Sequence, residues 1–194
     1  MHKGRLEAFS DGVFAIIITI MVLEMHPPHS ADLDALVPLV PVFVSYALSF
    51  ANVGIYWANH HHMLQVASKV NGAVLWANLH LLFWLSLMPL VTGWMGENHF
   101  ATVPVAFYGI DLTLCAVAYT ILARALVRLH GQDSRFARAL GSDLKGRVSL
   151  LAYVLAVALA FVNSWIAMAL YVCVAIMWFV PDSRFARVAE PEAD

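Results

Sequence analysis

Charged and polar side chains stand at the head of an otherwise apolar segment near the N-terminus. Arg5, Ser10 and Asp11 precede the apolar run 13–23, which is interrupted only by Thr19. Ionisable groups at membrane depth are costly, so they usually pair, fix geometry or serve an ion pathway. Arg5 and Asp11 are six residues apart and lie on different faces of a helix, so each is expected to find its partner on another helix or subunit. Two interpretations follow: a structural attachment near the membrane interface, or direct contact with an ion.

A second pattern lies along the same helix. At about 100° per residue, four side chains fall on one stripe with Gly12 just below it, and Asp11 points about 140° away from Ile16. The stripe consists of Ile16, Thr19, Ile20 and Leu23. It is either an ordinary surface facing lipid or other helices, or a narrow constriction that excludes water where several copies meet on an axis.

The composition indicates the environment that these residues need. The chain has 194 residues, 61% of them hydrophobic and 12% charged, with a mean hydropathy of +0.75. Soluble domains carry roughly 25% charged residues, so a membrane protein is predicted. The net charge of -2 gives no reason to expect nucleic acid as a partner. Cys115 and Cys173 lie in apolar stretches without metal or disulfide spacing.

Counting membrane-length segments predicts an all-α protein with six transmembrane helices. A span needs about 20 apolar residues. A final stretch, 148–180, is too long for one span, and the polar pair Asn163-Ser164 near its middle favours a hairpin of two short helices. The predicted spans are 6–25, 36–58, 73–94, 103–127, 148–162 and 164–180.

The distribution of basic residues predicts the orientation. Lysine and arginine are confined to the N-terminus, Lys69, the region 124–147 and the tail, and are missing from 26–35 and 95–102. Under the positive-inside rule both termini are then cytoplasmic. We therefore expect one multi-pass domain over residues 1–182 and a cytoplasmic tail over 183–194.

Other candidate residues are ambiguous from the sequence alone. The run His60-His61-His62 invites a metal site, but adjacent helical residues diverge by about 100°, which favours an interfacial turn with one histidine packed inward. Asp111, near the outer end of the fourth span, is either functional or close enough to the end to reach water. Phosphate-loop, zinc-protease and nucleophile-elbow motifs are missing, as is the T-V-G-Y-G filter, so we predict neither an enzyme nor a metal or cofactor site.

The head of helix 1 resembles the R-x-x-x-F-S-D signature of the transmembrane protein 175 family. It stands here as Arg5, Phe9, Ser10 and Asp11, followed by Gly12. The likeness continues through Tyr56-Trp57-Ala-Asn-His60-His61 and through Asn78 and Pro89, so that it covers at least residues 5–95.

The resemblance implies a cation channel that favours potassium over sodium without a conventional filter. Chains with one six-helix unit are similar to the bacterial form, a homotetramer in the plasma membrane. In that form the first helix of each subunit lines the central pore, and bulky aliphatic side chains close it.

The resemblance also implies residue roles. Ile16 would form the main constriction, Ile20 and Leu23 would lie farther outward, and Thr19 matches a hydroxyl position linked to selectivity. A structural network would hold helix 1. Its members would be Arg5, Phe9, Ser10, Asp11 and Gly12, supported by Trp57, Asn78 and either His60 or His61.

Two other functions stay open from the sequence. One is a proton-coupled secondary transporter that uses Asp11 or Asp111, although the inverted repeats expected of such carriers are not apparent. The other is a non-conducting membrane scaffold or pH sensor, in which the histidines would titrate near neutrality.

Overall fold

The fold was analysed in a computed structural model, which describes residues 2–132, 134, 137 and 143–179. In this part of the chain all regular structure is helical. The helices are α1 (Lys3–Leu23), a 3-10 helix (Leu33–Leu39), α2 (Val40–Val66), α3 (Gly72–Leu85), α4 (Met88–Glu97), α5 (Thr102–His130), α6 (Leu144–Ala160) and α7 (Ser164–Phe179). The proposed tail 183–194 lies outside the described residues.

Local sequence explains several helix ends. The Asn71 side chain accepts a hydrogen bond from the backbone N–H of Val74 at 3.0 Å and so caps the start of α3. The α5 helix ends at Gly131, whose φ of +95° falls in a region that side chains disfavour. The Asn163 side chain accepts from the N–H of Trp165 at 2.9 Å, at the tight connection from α6 to α7.

The third apolar stretch is interrupted before its proline. The sequence predicts a kink at Pro89, and the structure ends α3 at Leu85 and starts α4 at Met88. A proline ring clashes with the carbonyl four residues earlier, which here belongs to Leu85, and it has no N–H to donate to that carbonyl. The break therefore falls one turn upstream of Pro89.

The central element is α5, which packs against α3, α4, α6 and α7. By contrast, the main contacts of α1 within the described residues are with α2, α3 and α4. The buried face of α1 consists of Leu6, Ser10, Phe14, Ile17 and Met21. One side of α1 is thus fixed to the protomer, and the other side is left without a described neighbour.

Four helical stretches are long and apolar enough to cross a membrane. These are Lys3–Leu23, Leu33–Val66, Gly72–Glu97 and Thr102–His130, and Ser164–Phe179 is a shorter apolar helix. A chain with several such helices is a multi-pass membrane protein.

Gly109 in α5 lies against Tyr171 of α7 and Val157 of α6, and this close packing gives a first prediction. A Cβ atom there would collide with the Tyr171 hydroxyl and would lie 2.8 Å from Cγ2 of Val157. Gly109→Ala is therefore expected to destabilise the protein by about 1–3 kcal/mol through overpacking.

The matched control is Gly54→Ala in α2, where nothing lies within 4 Å of the added methyl group. This change is expected to be neutral or to stabilise by up to about 1 kcal/mol, because alanine is the better helix former. Thermal unfolding of the purified variants in detergent measures both. Equal melting temperatures for the two variants would contradict the packing described here.

Candidate functional site

A buried chain of hydrogen bonds fixes α1 to its neighbours. The Asn78 side-chain amide donates to Ser10 Oγ at 2.9 Å, and Asn78 Oδ1 lies 2.7 Å from His60 Nε2. Because the amide N–H of Asn78 faces Ser10, its oxygen faces His60, which assigns the proton to Nε2 of the histidine. Ser10 in turn donates to the backbone carbonyl of Leu6 at 2.8 Å. All three polar side chains are buried, so the chain joins α1, α2 and α3 inside the protomer.

A second attachment joins α1 to α2 at the surface. Trp57 Nε1 donates to Asp11 Oδ1 at 2.9 Å, and the Trp57 ring stacks on His61 with centroids 5.9 Å apart. Both Asp11 and Trp57 are exposed in the protomer. The carboxylate of Asp11 therefore has a partner on another helix of the same chain.

The two attachments separate the roles of neighbouring histidines. His60 belongs to the buried chain, and its ring packs against Phe14 at 5.6 Å. His61 stacks on Trp57, and exposed His62 meets His61 edge-on at 5.8 Å. The predicted inward packing of one histidine is confirmed for His60. The predicted interfacial turn is wrong, because α2 continues through the run to Val66 and buries Met63 and Leu64 beyond it.

Three residues of the signature do not join these networks. Arg5, Phe9 and Gly12 are exposed, and in the part of the chain that the structure describes the Arg5 guanidinium makes no hydrogen bond or ion pair. Phe14 was not selected from the sequence, although its position four residues after Ser10 places it on the same buried face.

The aliphatic stripe lies on the outer face of α1. Exposed fractions are 58% for Ile16, 39% for Ile20 and 75% for Leu23, and Thr19 is exposed as well. The Thr19 hydroxyl donates to the carbonyl of Ile16 at 2.9 Å, so the one polar group of the stripe is satisfied within the helix. Such a concentration of bare aliphatic side chains indicates a surface for lipid or for another copy of the chain.

The described residues contain no group of three or more histidine, cysteine or acidic side chains that could hold a metal ion. The three consecutive histidines instead face three different environments.

A further buried polar cluster was missed by the sequence reading. Thr92 donates to Ser49 at 2.7 Å, Ser49 donates to the Tyr108 hydroxyl at 3.1 Å, and Asn52 donates to that hydroxyl at 3.3 Å. It joins α2, α4 and α5. Spacing within α2 offered a signal, because Ser45, Ser49 and Asn52 recur at helical intervals.

Fold and site together define a multi-pass helical membrane protein whose first helix is attached on one face and bare on the other. A family model described as the endosomal/lysosomal potassium channel TMEM175 matches residues 5–89. A potassium channel of Chryseobacterium sp. (strain P1-3) is 53% identical over 187 residues, which cover 96% of this chain and 97% of that relative. The chain belongs to the TMEM175 family, as the signature in α1 predicted.

Other relatives are similar to this chain over most of their length. A potassium channel of Streptomyces collinus is 32% identical over 188 residues, covering 91% of each protein. The crystal structure of a lysosomal potassium-selective channel TMEM175 homolog from Chamaesiphon minutus matches with a TM-score of 0.80 at 28% identity. That match covers 93% of this chain and 97% of the solved chain, so the shared fold includes the helices beyond the family signature.

Proposed function

We propose that this protein is a passive, potassium-selective cation channel of a bacterial plasma membrane. Full-length similarity to proteins named potassium channels supports the activity. The proposed location of the pore rests on one observation. The aliphatic stripe on α1 is exposed, whereas the opposite face of the helix is held to the protomer by buried hydrogen bonds. A helix attached in this way can present its free face to an axis.

In the proposed assembly, four copies bring their α1 helices together around a central pore. Ile16 forms the main constriction, with Ile20 and Leu23 farther outward. Rings of aliphatic side chains close a pore by excluding water, so conduction requires the helices to separate or rotate. Thr19 provides the one hydroxyl along the stripe, and potassium, which dehydrates more readily than sodium, would pass the apolar constriction more easily.

The proposed membrane arrangement has six spans over residues 1–182, both termini in the cytoplasm, and lipid around the outer helices. The last two helices have 17 and 16 residues and would extend only about 25 Å at 1.5 Å per residue. A hydrocarbon core of about 30 Å would have to thin locally around them, or they would have to be covered by longer neighbours. Potassium would be the permeating ion, with no resident cofactor.

Purified protein reconstituted into liposomes with a potassium gradient tests the activity. Fast flux that follows the electrochemical gradient and prefers potassium over sodium is the expected result. Saturable flux that depends on a proton gradient would instead identify a secondary transporter. The absence of any flux would favour a non-conducting scaffold or sensor.

Assembly is tested separately by counting subunits in mild detergent, where we expect four. A monomer that conducts would contradict the pore on α1, because one helix cannot enclose an axis.

A further inference from the structure

One face of α5 carries an apolar stripe that ends in two arginines. At about 100° per residue, five apolar side chains fall within one sector of the helix about 100° wide. They are Phe107, Ile110, Leu114, Val117 and Ile121. The first two and the last are exposed, and the two between them are half-buried. Arg124 and Arg128 continue the same sector through the last turns of the helix. The described bundle thus leaves most of this face uncovered.

The two arginines have no counter-charge. Both are exposed, and neither guanidinium makes a hydrogen bond or an ion pair with another described residue. They are one turn apart on one face, where side chains are neighbours and like charges repel. Asp111, the acidic residue of α5, is about 20 Å from Arg124 along the helix axis. An anion that bridges both guanidiniums would relieve the repulsion.

The length of α5 places this pair at the edge of a bilayer. The helix has 29 residues, or about 43 Å, and exceeds the hydrocarbon core of about 30 Å. Counted from Thr102 at its start, Arg124 lies about 33 Å and Arg128 about 39 Å along the axis. If Thr102 lies near one boundary of the core, the arginines reach the headgroups at the other. In the membrane arrangement proposed above, on which this inference rests, those are the acidic headgroups of the cytoplasmic leaflet.

We propose that this face of α5 binds one acidic phospholipid per protomer. The lipid phosphate accepts hydrogen bonds from both guanidiniums, whose planar fork of donors matches phosphate oxygens. One acyl chain lies along Ile121, Val117 and Leu114. The stripe makes a lipid a better ligand than free phosphate, because a soluble anion gains nothing from the apolar side chains beyond Arg124.

Native mass spectrometry of the full chain in mild detergent tests the site without any ion flux. Titration with phosphatidylglycerol should fill one tight site per chain. Phosphatidylcholine with the same acyl chains, which has no net charge, should bind at least about tenfold more weakly. Arg124→Gln/Arg128→Gln should weaken phosphatidylglycerol binding by roughly tenfold or more, because each basic residue at an acidic surface contributes about fivefold in affinity.

Lys3→Gln/Lys69→Gln is the matched control for the arginine variant. It removes the same two positive charges from α1 and from the segment between α2 and α3, outside the stripe. Phosphatidylglycerol should bind this variant with the wild-type affinity.

A substitution at Ile121 tests the site with both arginines in place. In Ile121→Glu the new carboxylate faces Arg124 at the i,i+3 spacing and competes with the lipid phosphate. Phosphatidylglycerol should therefore bind severalfold more weakly than to Ile121→Gln, which has the same side-chain size and no charge. Equal binding to these two variants would count against the site even where the arginine variant does not fold.

Four other results would overturn the proposal. Three concern the ligand: equal phosphatidylglycerol binding by the wild type and the double arginine variant, equal binding of the two lipids, and release of bound phosphatidylglycerol by an equal concentration of inorganic phosphate. The fourth is a changed subunit count in the arginine variant, which would show that a second copy of the chain covers this face. None depends on potassium flux, so the lipid site and the channel activity can fail separately.

Discussion

Ile16→Ser is expected to raise potassium flux through the reconstituted protein by at least about tenfold, equivalent to a barrier lower by ~1.4 kcal/mol. Ile16 is 58% exposed on the free face of α1, where four copies would place a ring of sec-butyl groups around the axis. A serine ring is smaller and can hydrogen-bond water, so the constriction would no longer exclude it. The preference for potassium over sodium should fall in the same variant.

Ile176→Ser is the matched control for this experiment. Ile176 lies on α7 and is 61% exposed, nearly the same fraction as Ile16, but α7 is not among the helices that form the main contacts of α1. The same chemical change at an exposed position outside the proposed pore should leave flux at the wild-type level. Equal potassium flux through both variants, whether raised or unchanged, would contradict a pore lined by α1.

Asn78→Leu is expected to cost about 3 kcal/mol in the free energy of unfolding. The substitution keeps the approximate size of the side chain but removes both hydrogen bonds that link His60 to Ser10. The buried Nε2–H of His60 would then have no acceptor, and an unsatisfied buried group costs about 1–3 kcal/mol by itself. Ser10 keeps its hydrogen bond to the Leu6 carbonyl, so the free-energy cost at Ser10 is smaller than the cost at His60.

A double substitution separates the hydrogen bonds from the packing. In Asn78→Leu/His60→Phe both partners are apolar, no donor is stranded, and much of the lost stability should return. Asn98→Leu is the control, because Asn98 is exposed and its bond to the Trp94 carbonyl is local, so the change should stay within about 0.5 kcal/mol. Thermal unfolding in detergent measures five proteins: the wild type, Asn78→Leu, His60→Phe, the double variant and Asn98→Leu. A double variant as unstable as the sum of its single variants would show that packing, not the hydrogen bonds, is what Asn78 contributes.

Helical periodicity depends only on residues close together in the chain, and it was sufficient to predict which side chains of α1 share a face. A period of 3.6 residues places Ile16, Ile20 and Leu23 on one face, and the structure leaves all three exposed together. The same geometry separates Asp11 from that stripe, and the structure pairs Asp11 with Trp57. The family signature was readable for a similar reason, since its residues are close together in the chain.

Contacts between distant segments could not be read in this way. Asn78 and Ser10 are 68 residues apart, and Trp57 and Asp11 are 46 apart. The choice between His60 and His61 depends on which side of α2 faces α3, a property of helix packing and not of the run itself. The second polar cluster, around Tyr108, was missed because its members come from three different helices.

Composition, hydropathy and the signature of α1 thus determined a membrane protein, its family and the side chains available on each face of its first helix. Only the tertiary structure decided which of these side chains are buried, which histidine joins Asn78, and that the Asp111 carboxyl has no hydrogen-bond partner among the described residues. The physical reason is that helical periodicity follows from backbone geometry within a few residues. Burial and pairing are set by how helices far apart in the chain pack against one another.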